Sequence, residues 1–178
     1  GVKMVDGNGV FLPESKRSLP SPSSAFYKVF GLSKLFPNSK KFGQYHLNYL
    51  SQNKVTEVDV LSGAFFMIRK KIIDQIGLLD ERFFMYGEDI DLSYRIKNAG
   101  YKNYYLPKTK IIHYKGESTK KGSMNYVYLF YKAMSIFSKK HFKGKNALFF
   151  YFIIHFAIYF RATISVLKRF FEETIYTL

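Results

Sequence analysis

The stretch FFMYGEDIDLSYRIKNAG, residues 83–100, decides how the rest of the sequence is interpreted. Leu92 and Ile96 lie four residues apart, as on one face of a helix, and Gly100 is a residue type at which helices commonly end. The pattern predicts an amphipathic helix over 88–99. Three carboxylates crowd into the first turn of this helix, and folding alone does not explain why they gather there.

The carboxylates are Glu88, Asp89 and Asp91. A helix N-terminus stabilises each ionised carboxylate by ~0.3–1 kcal/mol, so the acids can simply be capping residues. Three adjacent carboxylates also repel one another, which is more natural beside a cation or a basic ligand. Asp89 lies three residues before Leu92, on the core-facing side, where an ionised aspartate suits a general base that takes a proton from a hydroxyl. Asp91 precedes Arg95 by four residues, the spacing of an ion pair.

Composition narrows the class of protein. The 178 residues contain no cysteine, which excludes disulfides, thiolate nucleophiles and cysteine-ligated zinc. The net charge of +15 favours polyanionic partners, namely nucleic acid, anionic lipid or diphosphate-bearing substrates, although a solvated basic face would have the same composition. No signal peptide is visible, and the abrupt start without Met indicates a piece of a longer protein.

Hydrophobic patterning and turn residues predict an α/β fold, with a small mixed sheet, flanking helices and a C-terminal helical pair. The first prediction is a hairpin over 2–12 that turns at Asp6–Gly9, followed by an irregular insertion or linker over 13–57. The remaining predictions are a buried strand over 58–69, a short helix before Gly77, strands over 101–106 and 110–114, and helices over 123–141 and 146–173.

The segment 58–119 resembles the acceptor-side, C-terminal half of family-2 glycosyltransferases, and most closely their rhamnosyltransferase-like branch. The resemblance is carried, in order, by Ser62-Gly63-Ala64, Gly77 with LLDERFF, the Glu-Asp-x-Asp-Leu helix, Arg95, Gly100, Pro107 and His113. It implies the C-terminal part of a GT-A fold over 1–122. The helical region 123–178 would follow it and associate with a membrane.

The resemblance also implies roles for matched residues. Asp89 would be the catalytic base of an inverting, single-displacement sugar transfer. Acceptor-binding or loop-orienting roles would fall to Glu88, Asp91, Arg95, Ser62 and Gly63. His113 would help to bind a divalent metal, Mg²⁺ or Mn²⁺, together with the donor diphosphate.

One motif of the family is missing from the sequence. Its members hold the metal and the nucleotide diphosphate with an upstream Asp-x-Asp, but no such motif occurs before Val58, and Asp6 and Asp59 stand alone. We therefore expect this chain to lack the donor-side half and to be inactive by itself. The implied donor is a nucleotide-sugar such as dTDP-rhamnose, and the implied acceptor is a saccharide or a polyprenyl-linked saccharide used in cell-surface polysaccharide synthesis.

The C-terminal region is strongly apolar. ALFFYFIIHFAIYF, residues 147–160, is short for a membrane span, and counting on to Leu167 gives 21 residues that include Arg161. Attachment to an anionic membrane surface, a buried contact in a homo-oligomer and a true span stay open, with surface attachment favoured. The expected location is cytoplasmic, peripheral at the inner face of the cell membrane.

A different class of function is a non-enzymatic basic module that docks on anionic membrane or RNA. Aromatic and basic residues alternate in KNYYLPKTKIIHYK, residues 102–115, as in surfaces that stack on bases. RNA binding does not require an acidic cluster, and no RNA-recognition signature is present. We therefore expect an enzyme without a nucleic-acid partner.

Overall fold

The computed structural model describes residues 1–114, 124–144, 147–149, 151–153, 155, 156, 159 and 160. The named elements are β1 (Val2–Val5), α1 (Pro22–Val29), α2 (Leu32–Leu35), β2 (Thr56–Val58), α3 (Lys70–Ile76), α4 (Glu88–Asn98), β3 (Asn103–Ile112) and α5 (Met124–His141), with a 3-10 turn at Pro13–Ser15. The three strands form one mixed sheet in the order β1-β3-β2, with β1 parallel and β2 antiparallel to β3. This confirms the predicted α/β class with a small mixed sheet and flanking helices.

The N-terminal turn forms as predicted, but the second strand of the hairpin does not. The Asp6 carboxylate accepts the N–H groups of Asn8 and Val10 at 2.9 and 2.8 Å, and Gly9 adopts a positive φ of 80°. Beyond the turn, Phe11 makes a single antiparallel bridge to Val5. The hairpin prediction is therefore correct for the turn and for one strand only.

A single strand, β3, replaces the two strands that were predicted on either side of Pro107. Val2 pairs with Leu106 and the next residue, Lys3, pairs with Lys110, so residues 107–109 bulge out of the ladder. Proline has no N–H to donate, and a bulge is one of the few places where a strand tolerates it. The strand prediction was wrong about the break because a bulge can absorb the proline.

The long buried strand predicted over 58–69 is also wrong. β2 ends at Val58, because its partner Asn103 is the first residue of β3. Val60 still exchanges two backbone hydrogen bonds with Arg17, at 2.9 and 3.0 Å, and then the chain turns away. Met67, within the predicted strand, is 80% exposed.

The segment 13–57, predicted to be irregular, contains two helices. Ser21 caps α1 through a capping box with Ser24, and Pro22 occupies the first turn, where its missing N–H costs nothing. Lys16 is buried and donates to the carbonyl oxygens of Leu47 and Leu50 at 2.6 and 2.8 Å, which ties the irregular part of the segment to the core. This segment is therefore part of the folded unit.

The helices over 88–99 and 123–141 are confirmed as α4 and α5. α4 ends before Gly100, which has a positive φ of 85°. The two helices share a hydrophobic core with the end of the β2 region and the segment before α4. Its buried members are Val60, Phe83, Ile90, Ala133, Met134 and Phe137.

The described residues between 147 and 160 are helical, which agrees with the start of the second C-terminal helix. Phe156 stacks on Phe30, the residue that ends α1, with ring centroids 6.1 Å apart. Within the part of the chain that is described, no helix combines the length and the apolarity of a membrane span. Residues 161–178 lie outside the described residues. They include the rest of the helix predicted over 146–173 and the end of the region predicted over 123–178.

Candidate active site

Asp89 lies in the first turn of α4 and faces the protein, with 13% of its side chain exposed. Its Oδ2 accepts a hydrogen bond from Arg17 Nη2 at 2.5 Å and one from the Gly63 N–H at 3.1 Å. None of the described contacts is made to Oδ1. The carboxylate is thus held by one oxygen and keeps the other for a ligand.

Gly63 lies beside this carboxylate and Ser62 precedes it in the chain, while their acceptor-binding or loop-orienting role stays a prediction. A Cβ at Gly63 would lie 3.4 Å from Asp89 Cβ and 3.5 Å from Glu88 Oε1, which is ordinary van der Waals contact. The hydroxyl of Ser62 accepts the N–H of Ala64 at 3.3 Å, which shapes the turn. The backbone N–H of Gly63 is thus the contact that this turn makes with Asp89.

Glu88 lies next to Asp89 and is only partly exposed. Its Oε2 atom is buried and has no hydrogen-bond partner in the described part of the protein. Burial raises the pKa of the Glu88 carboxyl, and the neighbouring Asp89 carboxylate adds to this effect, while Arg17 opposes it. Glu88 therefore binds a proton more readily than an exposed glutamate does.

Asp91 has a different environment, because its side chain is fully buried. The predicted ion pair with Arg95 is present, with Nε 2.8 Å from Oδ2, and α5 contributes Lys140 and His141, which contact Oδ1 at 2.8 and 2.6 Å. Burial alone would raise the pKa of Asp91, but the hydrogen bonds from Lys140, His141 and Arg95 outweigh it and lower the pKa. Asp91 thus holds α5 against α4.

Arg95 extends this connection to α3. Its Nη1 donates to the Ile76 and Gly77 carbonyl oxygens at 2.6 and 3.1 Å, and its Nη2 donates to the Leu78 carbonyl oxygen at 2.7 Å. The guanidinium therefore satisfies carbonyl groups that the end of α3 leaves free. Asp91 and Arg95 thus connect α4 to α3 and α5, while their acceptor-binding or loop-orienting role stays a prediction.

His113 follows β3, where its backbone N–H donates to the Val5 carbonyl oxygen at 2.8 Å. The structure does not bring it into contact with the acidic residues of α4. Among the described residues, no three His, Asp or Glu side chains converge as metal ligands. The described residues therefore do not form a metal site by themselves, and the metal-binding role of His113 stays a prediction.

Sequence reasoning missed Arg17, Lys140 and His141. Arg17 is 72 residues from Asp89 along the chain, and the two α5 residues are about 50 from Asp91. No local spacing signals such contacts. The one available clue was the unbalanced negative charge of the first turn, which called for cations from elsewhere.

The chain is similar to known proteins in the region that contains the acidic cluster. The model of the family described as glycosyltransferase like family 2 matches residues 23–125, more than half of the chain and including α4 with its acidic cluster. No solved structure matches the chain.

Three curated relatives match parts of the chain. The N-acetylglucosaminyl-diphospho-decaprenol L-rhamnosyltransferase of Mycobacterium tuberculosis is 36% identical over 43% of this chain and 25% of its own length. The rhamnosyltransferase WbbL of Escherichia coli is 39% identical over 33% of the chain and 22% of its own length. The low-salt glycan biosynthesis hexosyltransferase Agl10 of Haloferax volcanii is 27% identical over 53% of the chain and 26% of its own length. The chain spans about a quarter of these relatives; by its family match and these similarities, it belongs to glycosyltransferase family 2 and is rhamnosyltransferase-like.

Proposed function

We propose that this chain is the acceptor-side part of an inverting glycosyltransferase in which Asp89 is the general base. The observation that carries the proposal is the environment of the Asp89 carboxylate. Arg17 and the Gly63 N–H hold Oδ2, the N-terminus of α4 favours the ionised form, and Oδ1 is left for a hydroxyl. A carboxylate that is ionised, oriented and partly free can accept a proton from an alcohol.

The proposed reaction is a single displacement at the anomeric carbon of the donor sugar. As the acceptor hydroxyl oxygen bonds to that carbon, its proton passes to Asp89 Oδ1. The bond between the anomeric carbon and the diphosphate oxygen breaks, and its electron pair leaves with the nucleoside diphosphate. Attack from the face opposite the leaving group inverts the configuration.

We propose a nucleotide-activated deoxyhexose such as dTDP-rhamnose as donor and a polyprenyl-diphosphate-linked saccharide as acceptor. The support is the similarity to the mycobacterial N-acetylglucosaminyl-diphospho-decaprenol L-rhamnosyltransferase and the net charge of +15 of this chain. The Asp-x-Asp of the donor side would be supplied by a further part of the protein. His113 as a ligand of Mg²⁺ or Mn²⁺ in the complete protein stays a proposal.

The first test replaces Asp89 with Asn in the complete transferase. Asn keeps an oxygen for Arg17 and Gly63 but cannot take the proton, so we expect transfer to fall by about 10²–10⁴-fold or more. Transfer is measured with radiolabelled nucleotide-sugar and a polyprenyl-diphosphate saccharide, and folding by circular dichroism. The matched control is Asp74→Asn, an exposed acid on α3 that pairs with Lys70.

The outcomes separate the enzyme from the basic module. Loss of transfer in the folded Asp89→Asn protein, with full transfer by Asp74→Asn, supports the enzyme. Full transfer by Asp89→Asn contradicts the assignment of the base. A complete protein that never transfers sugar but binds anionic vesicles would favour the non-enzymatic module. The chain by itself is expected to show no transfer, and turnover by it would contradict the acceptor-side proposal.

We also propose that the transferase attaches to the surface of an anionic membrane. Phe30 and Phe156 stack and yet are both more than half exposed, and the helix that carries Phe156 also exposes Leu148, Phe149 and Phe152. Exposed aromatic side chains beside many lysines are typical of proteins that lie on anionic bilayers.

Vesicle flotation tests this attachment. We expect the double variant Phe30→Ser, Phe156→Ser to bind phosphatidylglycerol-containing vesicles about 10-fold less tightly, because it removes two aromatic side chains from the membrane-facing surface. Phe84→Ser is the control, since Phe84 is an exposed phenylalanine on the separate segment between α3 and α4. Equal binding by all three proteins, or binding that is insensitive to salt and to lipid charge, would argue against the proposal.

A further inference from the structure

We propose that Arg17 is the positioning residue of the site: it fixes Asp89 for catalysis and keeps it ionised, and so sets the lower pH limit of sugar transfer. The inference rests on the proposed role of Asp89 as the base. Three features of the structure support the proposal, and they concern its backbone, its side chain and the charges around Asp89.

The backbone of Arg17 is fixed from both sides. Its N–H donates to the Val60 carbonyl oxygen at 3.0 Å, and its carbonyl oxygen accepts the Val60 N–H at 2.9 Å. This bridge ties the segment before α1 to the chain that leads into Gly63. Arg17, whose side chain donates to Asp89, is thus connected through Val60 to Gly63, whose backbone N–H donates to the same carboxylate.

The side chain of Arg17 is held as firmly as its backbone. Nη2 donates to the Leu61 carbonyl oxygen at 3.2 Å as well as to Asp89 Oδ2 at 2.5 Å. Only 10% of the side chain is exposed, and Nε is buried without a hydrogen-bond partner in the described part of the protein. A guanidinium this shielded from water needs a counter-charge, which Asp89 provides, and the Tyr45 side chain also interacts with it.

The effect on Asp89 follows from the charged groups that face it. In the described structure these are Arg17, from the segment before α1, and Glu88, from α4 itself; the β2–α3 segment contributes the uncharged Gly63 N–H. A cation in contact favours the ionised carboxylate, and a second carboxylate opposes it. Without Arg17, only the Gly63 N–H and the N-terminus of α4 would oppose the repulsion from Glu88 and the burial of the site in the described structure.

A purely structural role is the alternative, because an ion pair can serve folding alone. The two roles predict different pH profiles. If Arg17 only supports the fold, its replacement lowers stability or the amount of active protein, and the pH dependence of the remaining transfer is unchanged. If Arg17 keeps Asp89 ionised, its replacement moves the acidic limb of kcat/KM to higher pH.

The test compares three variants of the complete transferase. Arg17→Met removes the charge and keeps an apolar stem, and we expect its acidic limb to move up by about 1 pH unit or more. Arg17→Lys keeps the charge but loses the planar fork, so we expect an unmoved limb and about 10-fold lower kcat. Arg82→Met is the control, because Arg82 is exposed and pairs with Asp80, away from Asp89.

A second measurement does not depend on activity. Titration of the Asp89 side-chain carboxyl by ¹³C NMR, assigned with Asp89→Asn, should show a higher pKa for the carboxyl in Arg17→Met than in the wild type. If Arg17→Met fails to fold, Arg17→Gln, which keeps hydrogen-bond donors without the charge, takes its place in both measurements.

The possible results distinguish this inference from the proposed function. Suppose that Asp89→Asn is inactive, but that neither the acidic limb nor the NMR titration moves in the variant that removes the Arg17 charge. This result overturns the role of Arg17 and leaves Asp89 as the base. Active Asp89→Asn overturns the proposed function and with it the catalytic part of this inference. Inactive Asp89→Asn with an upward shift in both measurements establishes Arg17 as the positioning residue.

Discussion

Asp89 and Asp91 lie two residues apart in one helical turn, but they occupy contrasting environments. Two residues correspond to a rotation of about 200° around a helix, so the two side chains leave α4 on opposite sides. Asp89 meets one cation and one backbone N–H and keeps some exposure. Asp91 is fully buried and meets three basic side chains from two helices.

The difference shows how one acidic cluster serves two purposes. A carboxylate whose two oxygens are both occupied by buried cations has no site for a substrate proton, and losing its charge would leave those cations unpaired. A carboxylate with a spare oxygen can take part in chemistry. The first turn of α4 therefore joins a structural contact on the side of α5 to the proposed catalytic group on the side of Arg17.

The largest effect on stability is expected at Asp91. Asp91→Asn removes the charge that Arg95 and Lys140 share, and we expect the free energy of unfolding to fall by ~3–5 kcal/mol, as when one partner of a buried ion pair is removed. Urea denaturation followed by circular dichroism measures this change. Because α5 docks through these contacts, loss of α5 packing should accompany it.

Asp74→Asn is the matched control for this experiment. Asp74 also forms an i, i+4 pair, with Lys70, but these side chains are 58% and 86% exposed. An exposed pair of this kind contributes only about 0.3–0.5 kcal/mol. Equal losses for Asp74→Asn and Asp91→Asn would contradict the structural role that we assign to the buried aspartate.

Acid provides a second signature of the same contact. The pKa of Asp91 is lowered in the folded protein, so its stabilisation is complete above the pKa of an unfolded aspartate, about 3.9. It is then lost as the pH falls through the lower, folded value. The wild type should therefore lose stability in this window more steeply than Asp91→Asn, which has no carboxylate to protonate.

The sequence predicted the elements that depend on local signals. The spacing of Leu92 and Ile96, together with Gly100, defined α4, and the ion pair of Asp91 with Arg95 followed from the same periodicity. The turn at Asp6–Gly9 likewise depends on residues close in sequence. In each case the physical cause lies within a few residues, so a sequence pattern can contain it.

The misses depend on partners that are distant in sequence. The aromatic run after Val58 has the composition of a strand, but β3 begins opposite Val58 and offers no further partner. Arg17 reaches Asp89 across 72 residues, and no periodicity links them. The acidic cluster predicted that cations were needed, whereas only the fold could show which ones.

The α1 region is a different kind of error, because its signal was local. Ser21, Pro22 and Ser24 form a capping box with proline in the first turn, which is a helix start. The composition of the segment 13–57 instead predicts an irregular insertion or linker. Composition averages over positions, whereas a cap depends on the order of its residues.

The smallest expected effect separates Glu88 from both aspartates. Burial raises the pKa of Glu88 and its Oε2 has no partner among the described residues, so the ionised form costs stability at neutral pH. We expect Glu88→Gln to raise the free energy of unfolding by about 0.5 kcal/mol at pH 7, the opposite sign to Asp91→Asn. Urea denaturation at several pH values measures the difference.

The pH dependence of that gain follows from the sign of the shift. Because the folded pKa of Glu88 lies above the unfolded one, protonation favours the folded state, and the wild-type disadvantage is present above the folded pKa. The disadvantage disappears as the pH falls below the unfolded value, about 4.3, where both proteins carry a neutral side chain at this position. A gain that persists unchanged into acid would mean that it does not come from the Glu88 charge, and a loss of stability at pH 7 would mean that a cation satisfies this charge. Either result would remove the contrast between Glu88 and its neighbours.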